Sequence, residues 1–196
     1  MAGNICHDRP GPGGCELWSG CRSNENEVLK MRLFIALCPE ASAVSKLLEV
    51  IDKWKAEGMK GNFTKVQNIH LTLAFLGEQP EAKLPIIRQV LKSIPFPKLS
   101  LQANGIGHFG SLYYAHIEPS AVLAGYVEQV RQALKEAGVE FDAKPFKAHI
   151  TLCRKLCNPN QYPLELEPFE FSIETCCLFQ SVLTPQGPVY TILEMA

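Results

Sequence analysis

Two short stretches of this chain carry the same pattern, and few folds accommodate it twice. His70-Leu71-Thr72-Leu73 and His149-Ile150-Thr151-Leu152 each alternate a polar residue with an apolar one, the period of a strand buried on one face. In such a strand His70 and Thr72 share a face, with Leu71 and Leu73 on the other. His149 and Thr151 stand the same way against Ile150 and Leu152. The repeated polar face raises the possibility that the two look at each other across a cleft.

The segments leading into the two motifs also match. Arg32 to Leu37 reads as a buried strand that Pro39 ends. From Glu40 onward Val44, Leu47, Leu48, Ile51 and Trp54 fall at helix spacing, and Gly58 closes the helix. In the second copy Pro119 ends a strand running from Leu112 to Ile117, and Ser120 caps a helix through Ala137 with Leu123, Val127, Val130 and Leu134 inward. Pro39 precedes His70 by 31 residues and Pro119 precedes His149 by 30. A strand–helix–loop–strand unit therefore occurs twice, which predicts two similar lobes related by an approximate two-fold axis.

Between the copies lie a helix over residues 81–93 and a strand over 99–102, with Gly105, Gly107 and Gly110 between that strand and the one from Leu112. A short strand is expected over residues 63–66. After the second motif, residues 157–168 read as a loop. Strands over 169–182 and 189–193 follow, joined by the turn Pro185-Gln186-Gly187-Pro188. Helices segregated from mostly antiparallel strands make the fold class α+β, bilobal around a central groove. Residues 1–30, rich in Gly and Pro and without a period, read as a disordered tail. Residues 31–196 form one domain, and Met31 opens the ordered pattern.

Composition narrows the functional classes. A chain of 196 residues with 46% hydrophobic content can bury a full core. A formal net charge of -1 provides no global positive field, so a nucleic-acid partner would be a small or terminal piece rather than a long duplex. No apolar run approaches the roughly 18 residues a membrane span needs, and no basic-then-apolar leader opens the chain. The eight cysteines are irregularly spaced, with Cys38, Cys153, Cys176 and Cys177 in apolar runs, which reads as buried free thiols and a cytoplasmic setting. Cys6, His7, Cys15 and Cys21 lack the short Cys-x-x-Cys pairs of a metal cluster. A monomer without an obligatory protein partner is the default.

Two imidazoles on opposite sides of one reacting atom supply a general base and a general acid in a single step. A Thr hydroxyl two residues on can donate to a non-bridging phosphoryl oxygen. The pattern suits in-line displacement at phosphorus with no metal and no cofactor. Two rivals stand beside it: a metal site drawing on Cys153 and Cys157, and histidines that are merely structural. His108 and His116 lie outside the repeat and read as ordinary residues. Lys144-Pro145-Phe146-Lys147 adds positive charge beside His149, and Phe34, Phe75 and Phe146 are candidates for stacking on a base. Arg154 is a natural bidentate phosphate partner. Strict alternation puts it on the wrong face, so its role requires the strand to end or twist there.

These residues resemble the two-histidine phosphoesterase superfamily, and most closely its bacterial and archaeal RNA 2',3'-cyclic phosphodiesterase branch, also called 2'-5' RNA ligase. The resemblance lies in the opening strand Arg32 to Leu37, the motif from Asn68 to Gly77, the motif from Lys144 to Arg154, and the strands near Phe179 and Val189. It covers about residues 31 to 195. It implies a bilobal α+β fold and a metal-independent enzyme that opens a 2',3'-cyclic phosphate to a 2'-phosphate. It further implies His70 and His149 as catalytic residues, His70 protonating the departing 3' oxygen and His149 activating water. Thr72, Thr151 and Arg154 would bind the phosphate. RNA 3' ends or small cyclic nucleotides are the implied partners, and a module for RNA-end binding or 2'-5' ligation with little hydrolysis is the alternative. Phe63, Ala148 and Cys153 depart from the usual Trp, Pro and small residue of the family.

Overall fold

The computed structural model describes residues 29–159 and 163–196. The expectations for the tail and for Cys6, His7, Cys15 and Cys21 lie outside the described residues. Eight strands and three helices are present among the described residues: β1 (Lys30–Pro39), α1 (Ala41–Ala56), β2 (Asn62–Phe63), β3 (Leu71–Pro80), α2 (Leu84–Ser93), β4 (Ser100–Phe109), β5 (Leu112–Ile117), α3 (Ala121–Glu136), β6 (His149–Arg154), β7 (Phe169–Thr184) and β8 (Gly187–Met195).

Local chemistry accounts for the helix boundaries. α1 buries Ala43, Leu47, Ile51 and Trp54, a single stripe at helical spacing. Gly58, at a φ of 84°, lets the chain reverse after it. α3 starts where the Ser120 hydroxyl accepts from the Leu123 amide at 3.3 Å. α2 carries Pro85 in its first turn, where no intrahelical donor is lost. No described helix is long and apolar enough to cross a membrane.

All strand pairs are antiparallel, in the order β1-β3-β6-β5-β4-β7-β8 with β2 on β6. β7 also pairs with β1, so the path returns on itself. The two repeats meet where β3 touches β6. Each repeat sends its helix across the join: α1 packs on β6 and β7, and α3 packs on β3. One contiguous core results, with Leu33, Ile35 and Leu37 of the first repeat in the same cluster as Leu123, Val127 and Leu152 of the second. A second cluster, Phe34, Ala36, Cys177 and Phe179, covers the other face of β1 and β7, with Phe75 and Tyr190 against it.

Two local expectations are corrected. β4 runs on through Gly105 and Gly107 rather than ending at Gln102; its register slips between Ala103 and Ile106, where Gly105 takes a φ of 75°. Gly105 and Gly107, expected between the strands, lie within one bulged strand. The strand expected over residues 63–66 is only Asn62–Phe63, and a 3-10 turn over Val66–Asn68 replaces the rest.

Candidate active site

β3 and β6 are joined at one Cα pair, Leu71 with Ile150, both fully buried. Antiparallel pairing extended one step each way brings His70 opposite Thr151 and Thr72 opposite His149. All four lie on the face away from Leu71 and Ile150. The two histidines occupy a diagonal, a relation that spaces backbones by about 7–8 Å. A groove of about 470 Å³ is lined by all four residues, together with Arg154, Asn68 and Tyr190. Its far wall is the turn from Thr184 to Pro188.

Both rings are held alike. His70 Nδ1 lies 2.8 Å from the Asn68 carbonyl oxygen, and His149 Nδ1 lies 2.7 Å from that of Lys147. A carbonyl only accepts, so each ring carries its proton on Nδ1 and presents the Nε2 lone pair when neutral. The holders stand two residues before each His, a match as close as the motifs themselves. The second nitrogens differ. The Thr72 hydroxyl lies 3.1 Å from His70 Nε2, whereas Thr151 makes no such bond to His149 among the described residues.

Aromatic rings frame each imidazole. His70 is 5.0 Å from Phe34, 5.4 Å edge-on from Tyr190 and 6.0 Å from Phe179. His149 meets Tyr114 at 5.2 Å and Phe109 at 5.3 Å, both edge-on. Gly107 makes room for this second frame, because a Cβ there would lie 2.5 Å from the Tyr114 ring. Burial lowers the His70 pKa to about 4; the Asn68 carbonyl opposes that shift, while His149 and Arg154 add to it. Burial also lowers the His149 pKa, against the pull of the Lys147 carbonyl and with a smaller push from Arg154. Both rings are neutral near pH 7 in the free chain.

Arg154 reaches the groove for a specific reason. In the β5–β6 ladder Tyr114 faces Thr151 and Tyr113 faces Cys153, so Leu152 is the extra residue of a bulge. Leu152 and Cys153 are both buried, and alternation resumes one residue out of step. This turns Arg154 toward the side of His149 and Thr151. The same bulge sends Cys153 into the core instead of onto the His149 face. Neither Cys153 nor Cys157 lines the groove.

The structure brings His70, Thr72, His149, Thr151 and Arg154 into one groove. His108 and His116 are exposed and do not line it. Phe34 packs against His70 and is not free to stack on a base, while Phe75 and Phe146 line a neighbouring cavity. Asn68, Tyr190 and the 184–188 turn were missed. Asn68 could have been found from its offset to His70, which Lys147 repeats before His149. Tyr190 and the turn come from the C-terminal hairpin, and no local pattern marks them.

A family model described as LigT like Phosphoesterase matches residues 39–117 and 117–190. Three curated relatives described as RNA 2',3'-cyclic phosphodiesterase align over nearly their whole length. That of Thermotoga maritima is 30% identical, covering 83% of this chain and 93% of its own. That of Archaeoglobus fulgidus is 32% identical, covering 84% and 99%. That of Thermus thermophilus is 33% identical, covering 84% and 88%. Among solved structures, one from Thermus thermophilus superposes with a TM-score of 0.70 at 30% identity, covering 84% of this chain and 96% of its own. Escherichia coli LigT complexed with 3'-AMP gives 0.72 at 24% identity, covering 86% and 98%, a likeness of fold.

Proposed function

The chain belongs to the LigT-like phosphoesterase family, and from that premise we propose that it hydrolyses 2',3'-cyclic phosphates of RNA 3' ends or small nucleotides to the 2'-phosphate, by paired histidine acid–base catalysis without a metal. The relatives' described activity supports the reaction class. The observation that carries the mechanism is the Leu71–Ile150 pair, which turns one His and one Thr from each repeat to a common face.

On this reading the cyclic phosphate lies between the imidazoles. Neutral His149 takes a proton from water through Nε2 as the water oxygen attacks phosphorus. The P–O3' bond breaks in line, and protonated His70 gives its Nε2 proton to O3'. The products are the 2'-phosphate and a free 3'-hydroxyl. In each ring the Nδ1 proton stays on its carbonyl, which steadies the imidazolium when it forms. Thr72, Thr151 and the Arg154 guanidinium hold the non-bridging oxygens. The acid needs a proton that the free chain holds weakly; the bound phosphate anion favours the charged ring and restores it. The working unit is residues 31–196, since both repeats share one core. The free described cysteines support a cytoplasmic setting.

The test is hydrolysis of a nucleoside 2',3'-cyclic phosphate in excess chelator, with the product identified as the 2'-phosphate. A fall in turnover of at least about 10²-fold in His70→Ala and in His149→Ala is expected. A requirement for added metal, or tight binding with no product, would overturn the reading.

A further inference from the structure

A second cavity, of about 500 Å³, opens beside Thr72 and His149. It shares Thr72 and His149 with the first groove, as the register demands where these two face each other. Because β3 and β6 touch at a single pair, they diverge in both directions. The Asn62–Lys65 segment and the 184–188 turn line one wedge, and the loop Asp142–Lys147 lines the other.

The second wedge has its own chemistry. Phe75, Phe109 and Phe146 supply aromatic faces, and Arg131, Lys144 and Lys147 supply charge. Arg131 is anchored, donating to the Leu73 and Lys144 carbonyls and lying 5.9 Å from the Phe146 ring centroid. Lys147 Nζ stands 5.4 Å from the Phe109 centroid, and Phe109 packs on His149. Among the described residues Asp142 is the one acid lining either cavity, and Lys144 Nζ holds its carboxylate at 2.9 Å. With Lys65 and Arg154 in the first groove, five cations face one carboxylate in a chain whose formal net charge is only -1. Aromatic faces interleaved with cations are what a single-stranded nucleic acid recruits: rings stack on bases, and ammonium groups meet phosphates.

We propose that this second cavity is a nucleotide subsite: with the terminal nucleotide of an oligoribonucleotide in the first groove, the preceding one stacks against the aromatic wall of Phe146 and Phe109. The proposal rests on the function argued above and adds a second nucleotide position to it. A terminal cyclic phosphate leaves O5' of the same ribose joined to the next phosphate. The chain therefore continues from O5' out of the first groove, and the second wedge, which meets that groove at Thr72 and His149, is the one built of rings and cations.

Two measurements test it. The first is kcat/KM for a dinucleotide ending in a 2',3'-cyclic phosphate against the matching mononucleotide. The dinucleotide is expected to be the better substrate by about tenfold, the scale of one stacked base. Phe146→Leu and Lys144→Ala, which leave both histidines and their carbonyl holders in place, should each erase most of that surplus and spare the mononucleotide. The second is the affinity of the 3'-phosphorylated dinucleotide and mononucleotide by calorimetry, which needs no turnover. A dinucleotide surplus lost in the two variants upholds the subsite even if hydrolysis is never seen, in which case only the proposed reaction falls. Equal values for the two ligands in the unmodified chain, or equal losses on both in the variants, overturn the subsite.

Discussion

Leu71 pairs with Ile150, and no other Cα pair joins β3 to β6. A longer ladder would have closed the space on both sides of the histidines. One pair fixes the diagonal of His70 and His149 and leaves a wedge open on each side. The same residues bind the repeats together from within: Leu71 also pairs with Leu37, and Ile150 with Ala115. The residues that centre the core therefore also set the geometry of the groove.

From that diagonal the two histidines should fail separately. Each general acid or base contributes typically about 10²–10⁴-fold, so His70→Ala and His149→Ala should each cost at least the lower figure in kcat on a cyclic nucleotide. A p-nitrophenyl phosphodiester distinguishes the roles, since an aryl oxide leaves without a proton. His70→Ala should retain much of its activity on that ester and His149→Ala should not. The free-chain electrostatics run the other way, because His149 is the less shifted of the two and takes a proton first. Rescue of His149→Ala instead would give it the role of acid.

The pH dependence should lie on the acid side. The proposed reaction requires one ring charged and one neutral, and kcat/KM reports the free enzyme. With His70 at about 4 and His149 lowered from 6.5, both rings become neutral as pH rises past the higher of the two values. The kcat/KM bell should therefore centre below pH 6.5. The bell in kcat should sit higher, because the bound phosphate anion favours the imidazolium. A kcat/KM profile centred above pH 7 would contradict the burial of the His70 ring.

The sequence motifs disclosed the strand faces, the helix stripes and the repeat because these depend on local period. Alternation puts His70 with Thr72 on one strand face and His149 with Thr151 on another, and the nonlocal Leu71–Ile150 pair joins the two faces in one groove. Arg154 was readable only as a requirement that the strand break step, because the bulge at Leu152 depends on how Tyr113 and Tyr114 pair across from it. Tyr190 and the 184–188 turn were not legible. They reach the groove because β7 pairs with β1 in its middle and with β8 beyond, a nonlocal arrangement that no period records.

Stability should fall in acid through His70. Its folded pKa of about 4 lies below the ordinary 6.5, so the unfolded chain binds more protons between those values and stability rises with pH across that window. The full shift corresponds to a contribution on the order of 3 kcal/mol, present above pH 6.5 and lost toward pH 4. Urea midpoints measured across this range should drop steeply for the unmodified chain and less so for His70→Asn. Parallel curves for the two would show that the ring is not desolvated in solution.

Arg154 lines the groove and lowers the pKa of both rings. In the proposed function its guanidinium clasps two phosphate oxygens in parallel, which a single ammonium cannot do. Arg154→Lys should raise KM for a cyclic nucleotide by roughly tenfold or more, the scale of a hydrogen bond to a charged group, while Arg154→Ala should raise it further. The cation also lowers the pKa of His70 and of His149. Removing it in Arg154→Ala lets both rings protonate more easily, so the kcat/KM bell should move to higher pH. Arg154→Lys keeps the charge and should leave the bell nearly in place. A rise in KM without that shift in Arg154→Ala would mean that Arg154 meets the substrate from outside the field of the two imidazoles, contrary to the turn the Leu152 bulge gives it.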